Sequence, residues 1–217
     1  MILKLIFIKK GALSGIMKIF AASDLHGDQS LAERLAERAE KEQADLVILA
    51  GDITHNDTST KSIIGPFVKR QRKVMIIPGN HDSITTVDFL AEMYGIKNMH
   101  GYSATYGDIG FFGCGGATVG PHTQMSDEEI FSTLKYSHEQ VKDAKKKVMI
   151  THVHPSGSKI ERFSQFFPGS EGVTRAIKEF KPDIVLCGHI HEAAGIEEIL
   201  GKSRVINVGK VGKVIEL

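Results

Sequence analysis

Four runs of uninterrupted apolar residues constrain this chain more than any other feature: LVILA at 46–50, VMIIP at 74–78, VMIT at 148–151 and IVLC at 184–187. A strand with one wet face alternates apolar and polar residues, so runs without alternation need cover on both faces. Longer amphipathic stretches lie between the runs, and strands alternating with helices indicate α/β layering. The expected strands are Lys18–Ser23, Leu46–Ala50, Val74–Pro78, Ile109–Cys114, Lys147–Thr151, Ile184–Cys187, Arg204–Val208 and Lys213–Leu217. The expected helices are Ser30–Gln43, Thr60–Gln71, Thr86–Tyr94, Asp127–Lys145 and Gly172–Phe180. Ser126 reads as the N-cap of the fourth helix, followed by acidic residues where the helix dipole favours them.

The 217 residues suit one domain. Basic and acidic residues nearly cancel, 27 against 26, so no strong field draws in long nucleic acid or an anionic membrane. Cys114 and Cys187 sit in apolar runs without metal-knuckle spacing, as buried thiols of a reducing compartment do, and a cytoplasmic location is expected. Residues 1–16 are apolar but interrupted by Lys4, Lys9 and Lys10. They are too short to span a membrane, and their charge falls on the wrong side for a signal peptide. They read as an edge strand or an over-extended start, with the domain proper at 17–217.

Ligands of open α/β sheets gather beyond the carboxyl ends of the strands. Asp24 and His26 follow the first strand, Asp52 the second, and Asn80, His81 and Asp82 the third; His152 follows a later one, and His189 and His191 another. A polar residue after one buried strand is ordinary. Five strand ends with metal-ligand residue types are not explained by a chain returning to solvent. The i, i+2 pairs Asp24/His26 and His189/His191 would each aim two donors to one side of an extended segment. Imidazole, carboxylate and amide donors without thiolate favour Mn, Fe, Zn, Co or Ni.

The series SDLHG, AGDITHND, PGNHD, THVH and GHIH resembles, in that order, the motifs of the calcineurin-like metallophosphoesterase superfamily. The resemblance runs from Met17 to about Val208, and GNHD followed by GHxH is its most specific part. It implies a four-layer α-β-β-α sandwich with two mixed sheets, and a centre of two divalent metal ions, manganese being the expected choice in vitro. Carried over by motif, Asp24, His26 and His191 would bind one ion, Asn80, His152 and His189 the other, and Asp52 would bridge them. His81 would stand near the leaving group with Asp82 orienting it. His152 is chosen over His154 because it is nearer the strand end, which leaves His154 facing substrate or merely lining a loop. His55 and Asp57 replace the second aspartate and closing glycine of the family's GDxxDxG pattern, and Asn56 stands where protein phosphatases carry an arginine. That weakens a protein-phosphatase reading.

Two divalent ions bring about +4 and the Asp24 and Asp52 carboxylates −2, leaving about +2 for an anionic ester and a hydroxide that attacks phosphorus in line. His81 would protonate the departing alkoxide. The expected substrate is a phosphate mono- or diester, either a small molecule or nucleotide-like. A nuclease or a non-catalytic metal-binding module is the alternative. The loop Pro155–Ser170, with Arg162, Phe163, Phe166 and Phe167, would lid the site against a base or apolar group, or its phenylalanines would pack the loop down. His154, His55 and Arg162 are the candidate substrate contacts, and a second loop, Ala117–Ser126 with His122, would line the same opening.

Overall fold

The structure, a computed structural model, describes residues 16–164 and 166–217. The expected extension at 1–16 therefore lies almost wholly outside the described residues.

Strand β1 (Lys18–Ala22) is the first expected strand, β2 (Leu46–Ala50) and β3 (Lys73–Ile77) carry the first two apolar runs, and the three pair in parallel. The two-residue β4 (Lys97–Asn98) and the antiparallel β11 (Lys213–Glu216) close this sheet in the order β11-β1-β2-β3-β4. A second sheet has β5 (Ser103–Tyr106), β6 (Ile109–Cys114), β7 (Lys146–Thr151), β8 (Ile184–Cys187), β9 (Glu197–Leu200) and β10 (Ser203–Asn207). Its order is β5-β6-β7-β8-β10-β9, with both edge strands antiparallel. Both sheets are thus mixed, as expected.

The helices are α1 (Gln29–Lys41), α2 (Gly65–Lys69), α3 (Ile84–Tyr94), α4 (Asp127–Glu139) and α5 (Glu171–Phe180). Three apolar clusters define four layers. One packs α1, α2 and α3 on the first sheet through Leu35, Phe67 and Leu90. Another packs α4 and α5 on the second through Phe131, Leu134 and Ile177. Between the sheets, Ile19, Ile48 and Met75 meet Phe111, Ile150 and Leu186. These strands are buried on both sides, which is why their sequences do not alternate. Each such side chain contributes roughly 1.5–3 kcal/mol on leaving water.

Three expectations need correction. The helix expected at Thr60–Gln71 shrinks to α2, because Ser59 and Ser62 adopt positive φ and Pro66, which lacks an N–H, falls in the first helical turn. The helix expected to reach Lys145 ends at Glu139, where turns bring Val141 into the second cluster before β7 begins. The strands β4, β5 and β9 carry polar or half-exposed residues and have no apolar run to announce them.

Candidate metal centre

The carboxyl ends of β1, β2 and β3 in one sheet and of β7 and β8 in the other meet at a single rim. Backbone hydrogen bonds interlock the loop after β1 with that after β2, and the loop after β7 with that after β8. Asp24 N–H donates to Gly51 O at 3.0 Å, His26 N–H to Asp52 O at 2.8 Å, and Gly188 N–H to His152 O at 2.9 Å. The sheets are joined by His189 N–H donating to Asp24 Oδ1 at 3.2 Å and by the His152 ring Nδ1 bonding Ala50 O at 2.9 Å.

The loops are not extended segments. Asp24, His26, Asp52 and His189 have φ of 60°, 47°, 50° and 70°, the left-handed region that L residues seldom occupy. The paired donors therefore converge through tight turns, which corrects the expectation of extended i, i+2 pairs. Such backbone costs of order 1–3 kcal/mol per residue and survives where the surroundings over-determine it. Close packing is visible at Gly51, with φ +90°, where an added Cβ would lie 2.7 Å from Cγ of His152.

The side chains point at one another. His152 Nε2 lies 3.0 Å from Asn80 Oδ1 and 3.4 Å from Asp52 Oδ2. His26 Nε2 is 3.5 Å from the same Asp52 oxygen, and His191 Nε2 is 3.5 Å from Asp24 Oδ1. His26 Nε2 and His191 Nε2 face each other at 3.2 Å. Three sets have ligand atoms within 4.8 Å of one another: Asp24, His26 and His191; His26, Asp52 and His81; and Asp24, Asp52 and His152. His189 packs its ring edge against His152 at 5.2 Å between centroids, and its Nε2 is buried with no hydrogen-bond partner.

Charge follows from this packing. Burial works against the Asp24 and Asp52 carboxylates, yet His191 beside Asp24 and His152 beside Asp52 hold both below the usual range. Burial pushes His26 down to about 4 and His189 to about 3, so both are neutral imidazoles. Burial also opposes charge on His152, but the adjacent Asp52 overrides it and lifts the ring to about 9.

These features fit divalent cations. Two ionised carboxylates are buried side by side, two ring nitrogens face each other, and a third is buried without a partner. The His152–Ala50 bond fixes the ring through Nδ1 and aims Nε2 at Asn80 and Asp52, the usual arrangement behind a metal-bound imidazole.

Around the centre, some expectations change. Asp82 does not orient His81: its buried carboxylate accepts from the backbone N–H groups of Ile53, Thr54 and Gly79 and from Thr54 Oγ1, at 2.7–2.9 Å. It clamps the loops after β2 and β3 together. The partner of His81 is Asn56, whose Oδ1 lies 2.8 Å from His81 Nδ1. Its position in the motif alone did not announce this. His55 is exposed and lies parallel to His81, 6.3 Å between centroids, and 6.2 Å from His26. His154 is fully buried with both ring nitrogens unpartnered, and it stacks 6.2 Å from His189. Arg162 is exposed on a short 3-10 turn, Ile160–Phe163, and its side chain makes no hydrogen bond among the described residues. His122 N–H donates to Asn80 O at 3.1 Å, which seats the second loop on the site.

Fold and site together define a class: a two-sheet α/β protein whose strand ends gather oxygen and nitrogen donors suited to divalent metal. The chain belongs to the calcineurin-like phosphoesterase family, whose profile matches residues 17–193. It is 29% identical over 201 residues to an uncharacterized protein, MJ1162, of Methanocaldococcus jannaschii, covering 88% of this chain and 87% of that one. It is 23% identical over 211 residues to one subunit of the nuclease SbcCD of Staphylococcus saprophyticus, covering 83% of this chain and 55% of the nuclease subunit. Its fold is similar to TT1561 of Thermus thermophilus, with a TM-score of 0.73, 21% identity and 90% of each chain covered. It is also similar to an archaeal phosphodiesterase, with a TM-score of 0.54, 19% identity, and 93% and 100% covered. No helix among the described residues is long and apolar enough to cross a membrane.

Proposed function

We propose that this chain hydrolyses small phosphate mono- or diesters with two divalent cations. Asp24, His26 and His191 would hold one, Asn80, His152 and His189 the other, and Asp52 both. The observation that carries this is the convergence of carboxylate, imidazole and amide donors from five strand ends, two of them carboxylates within 4.8 Å of each other. Two cations bound there supply positive charge to the phosphoryl oxygens and lower the pKa of water towards about 7.

The chain's own residues do the rest. Strained backbone at Asp24, His26, Asp52 and His189 holds the donors before any ligand arrives. Asn56 accepts from His81 Nδ1, which directs Nε2 of that ring towards the departing alkoxide as proton donor. His55, parallel to His81, would line the same mouth and face substrate. Manganese is the expected metal in vitro. A cytoplasmic location belongs to the same proposal, supported by two free buried cysteines.

The nuclease reading has the staphylococcal relative in its favour, but a net charge of +1 gives long nucleic acid little to bind. A purely structural role would not need strained, converging donors. The decisive assay offers bis-nitrophenyl phosphate and nitrophenyl phosphate to purified protein with Mn²⁺ and with chelator. Turnover that Mn²⁺ restores after chelation supports the proposal, and turnover indifferent to chelator sinks it.

A further inference from the structure

The loop Pro155–Ser170 is built to hold aromatic rings outside the core. Both of its ends are pinned. Pro155 and Ser170 form a bridge, Ser170 N–H donates to His154 O at 2.8 Å, and the Glu161 carboxylate accepts from Gly157 N–H at 2.6 Å and Gly169 N–H at 2.8 Å. Its apolar anchor is Ile160, fully buried in the second cluster. Ser164 Oγ accepts from the N–H groups of Phe166 and Phe167, at 3.3 and 3.2 Å. With the loop held by these bonds and by Ile160, its phenylalanines are not its main anchor. Phe163, Phe166 and Phe167 remain 47%, 85% and 44% exposed. Of the three, Phe167 lies against the donor cluster, and an exposed aromatic beside a site marks a surface that binds something.

Their place relative to the centre says what. Phe167 meets the ring of His189 edge-on, 5.3 Å between centroids. His81 packs instead against His26, at 5.0 Å, with His55 beside it. The proton donor and Phe167 thus flank different members of the donor cluster. A phosphomonoester has one organic arm, which departs beside the proton donor and leaves Phe167 bare. A phosphodiester has two.

Resting on the hydrolase reading above, we propose that the substrate is a phosphodiester whose retained arm carries a flat aromatic ring, a nucleobase or aryl group, packed against Phe167. A face of every such ring suits an aromatic side chain, and stacking of this kind tolerates differences between bases.

The test keeps the leaving group constant. Wild-type protein with Mn²⁺ is offered methyl, phenyl and thymidine-5′ p-nitrophenyl phosphates, together with p-nitrophenyl phosphate. The ring-bearing diesters should exceed the methyl diester in kcat/KM by about 5- to 100-fold, the range that one stacked ring supplies. They should also exceed the monoester. In the Phe167→Ala protein the ring-to-methyl ratio should collapse towards one. Phe89→Ala, which removes a phenylalanine 59% exposed on α3, should leave that ratio as it was. Hydrolysis without ring preference in the wild type, a monoester faster than every diester, or a preference that survives Phe167→Ala overturns this proposal alone. Failure to hydrolyse any of the four overturns the hydrolase reading and this proposal with it.

Discussion

His81 and Asn56 carry the sharpest expectation at the scale of single residues. If His81 gives the leaving group its proton, His81→Ala should cost about 10²–10⁴-fold in rate on alkyl esters. The loss on nitrophenyl esters, whose leaving group needs no proton, should be far smaller. Asn56→Ala should reproduce that split in weaker form, because it frees the ring without deleting it. Equal losses on both ester types would remove His81 from this role. The bridging role proposed for Asp52 predicts that Asp52→Asn loses both ions together; metal analysis finding two per folded chain would refute it. Most of the donor set was legible in sequence because each member directly follows an apolar run. Asn56 was not, since its partnership with His81 joins the loop after β2 to the loop after β3 and exists only once β2 and β3 pair. Asp82 shows the converse: adjacency to His81 suggested an orienting carboxylate, and the fold gave that oxygen pair to the N–H groups of Ile53, Thr54 and Gly79.

Among the elements, α4 is the best specified locally. Ser126 Oγ accepts from Glu129 N–H at 3.3 Å while Ser126 N–H donates to the Glu129 carboxylate at 2.8 Å, a reciprocal capping box. Ser126→Ala should therefore destabilise the protein by roughly 1 kcal/mol, read as a lower urea midpoint at unchanged slope. An unchanged midpoint would mean that the tertiary contacts of α4 alone set its start. Where local chemistry is this explicit, sequence located the boundary; Ser126 was expected as the cap and is. The amphipathic stretch at Thr60–Gln71 misled because its spacing suits a helix while positive φ at Ser59 and Ser62 does not. Edge strands such as β9 pair on one side only and need no apolar run, so nothing in EEIL distinguishes them from a loop.

For the whole molecule, the cluster of buried charge makes stability depend on pH and metal. Burial lowers His26 and His154 to about 4 and His189 to about 3, so the unfolded chain takes up protons at these positions before the folded one does. Their contribution is complete above about pH 6.5 and is lost as pH falls towards 4. His152, opposed by burial but lifted to about 9 by Asp52, acts in the other direction: it stabilises below about 6.5 and is lost as pH rises through 9. With three groups against one on the acid side, chelated protein should melt at lower temperature at pH 5 than at pH 6.5; a flat profile would contradict the burial of these rings. Mn²⁺ at about 100 times its dissociation constant should add about 2.7 kcal/mol, or roughly 5–10 °C in Tm, seen as a shift between chelator and metal. By itself the sequence determined α/β layering and put the donors at strand ends, because both follow from local order: an apolar run, then the polar residue that ends it; two sheets were only what the motif resemblance implied. Only the tertiary structure decided which donors touch. It made the first and second sheets share one rim and bent the donor loops into left-handed backbone, since contacts between residues over a hundred positions apart, such as His26 with His191 and His152 with Ala50, are set by packing and not by spacing.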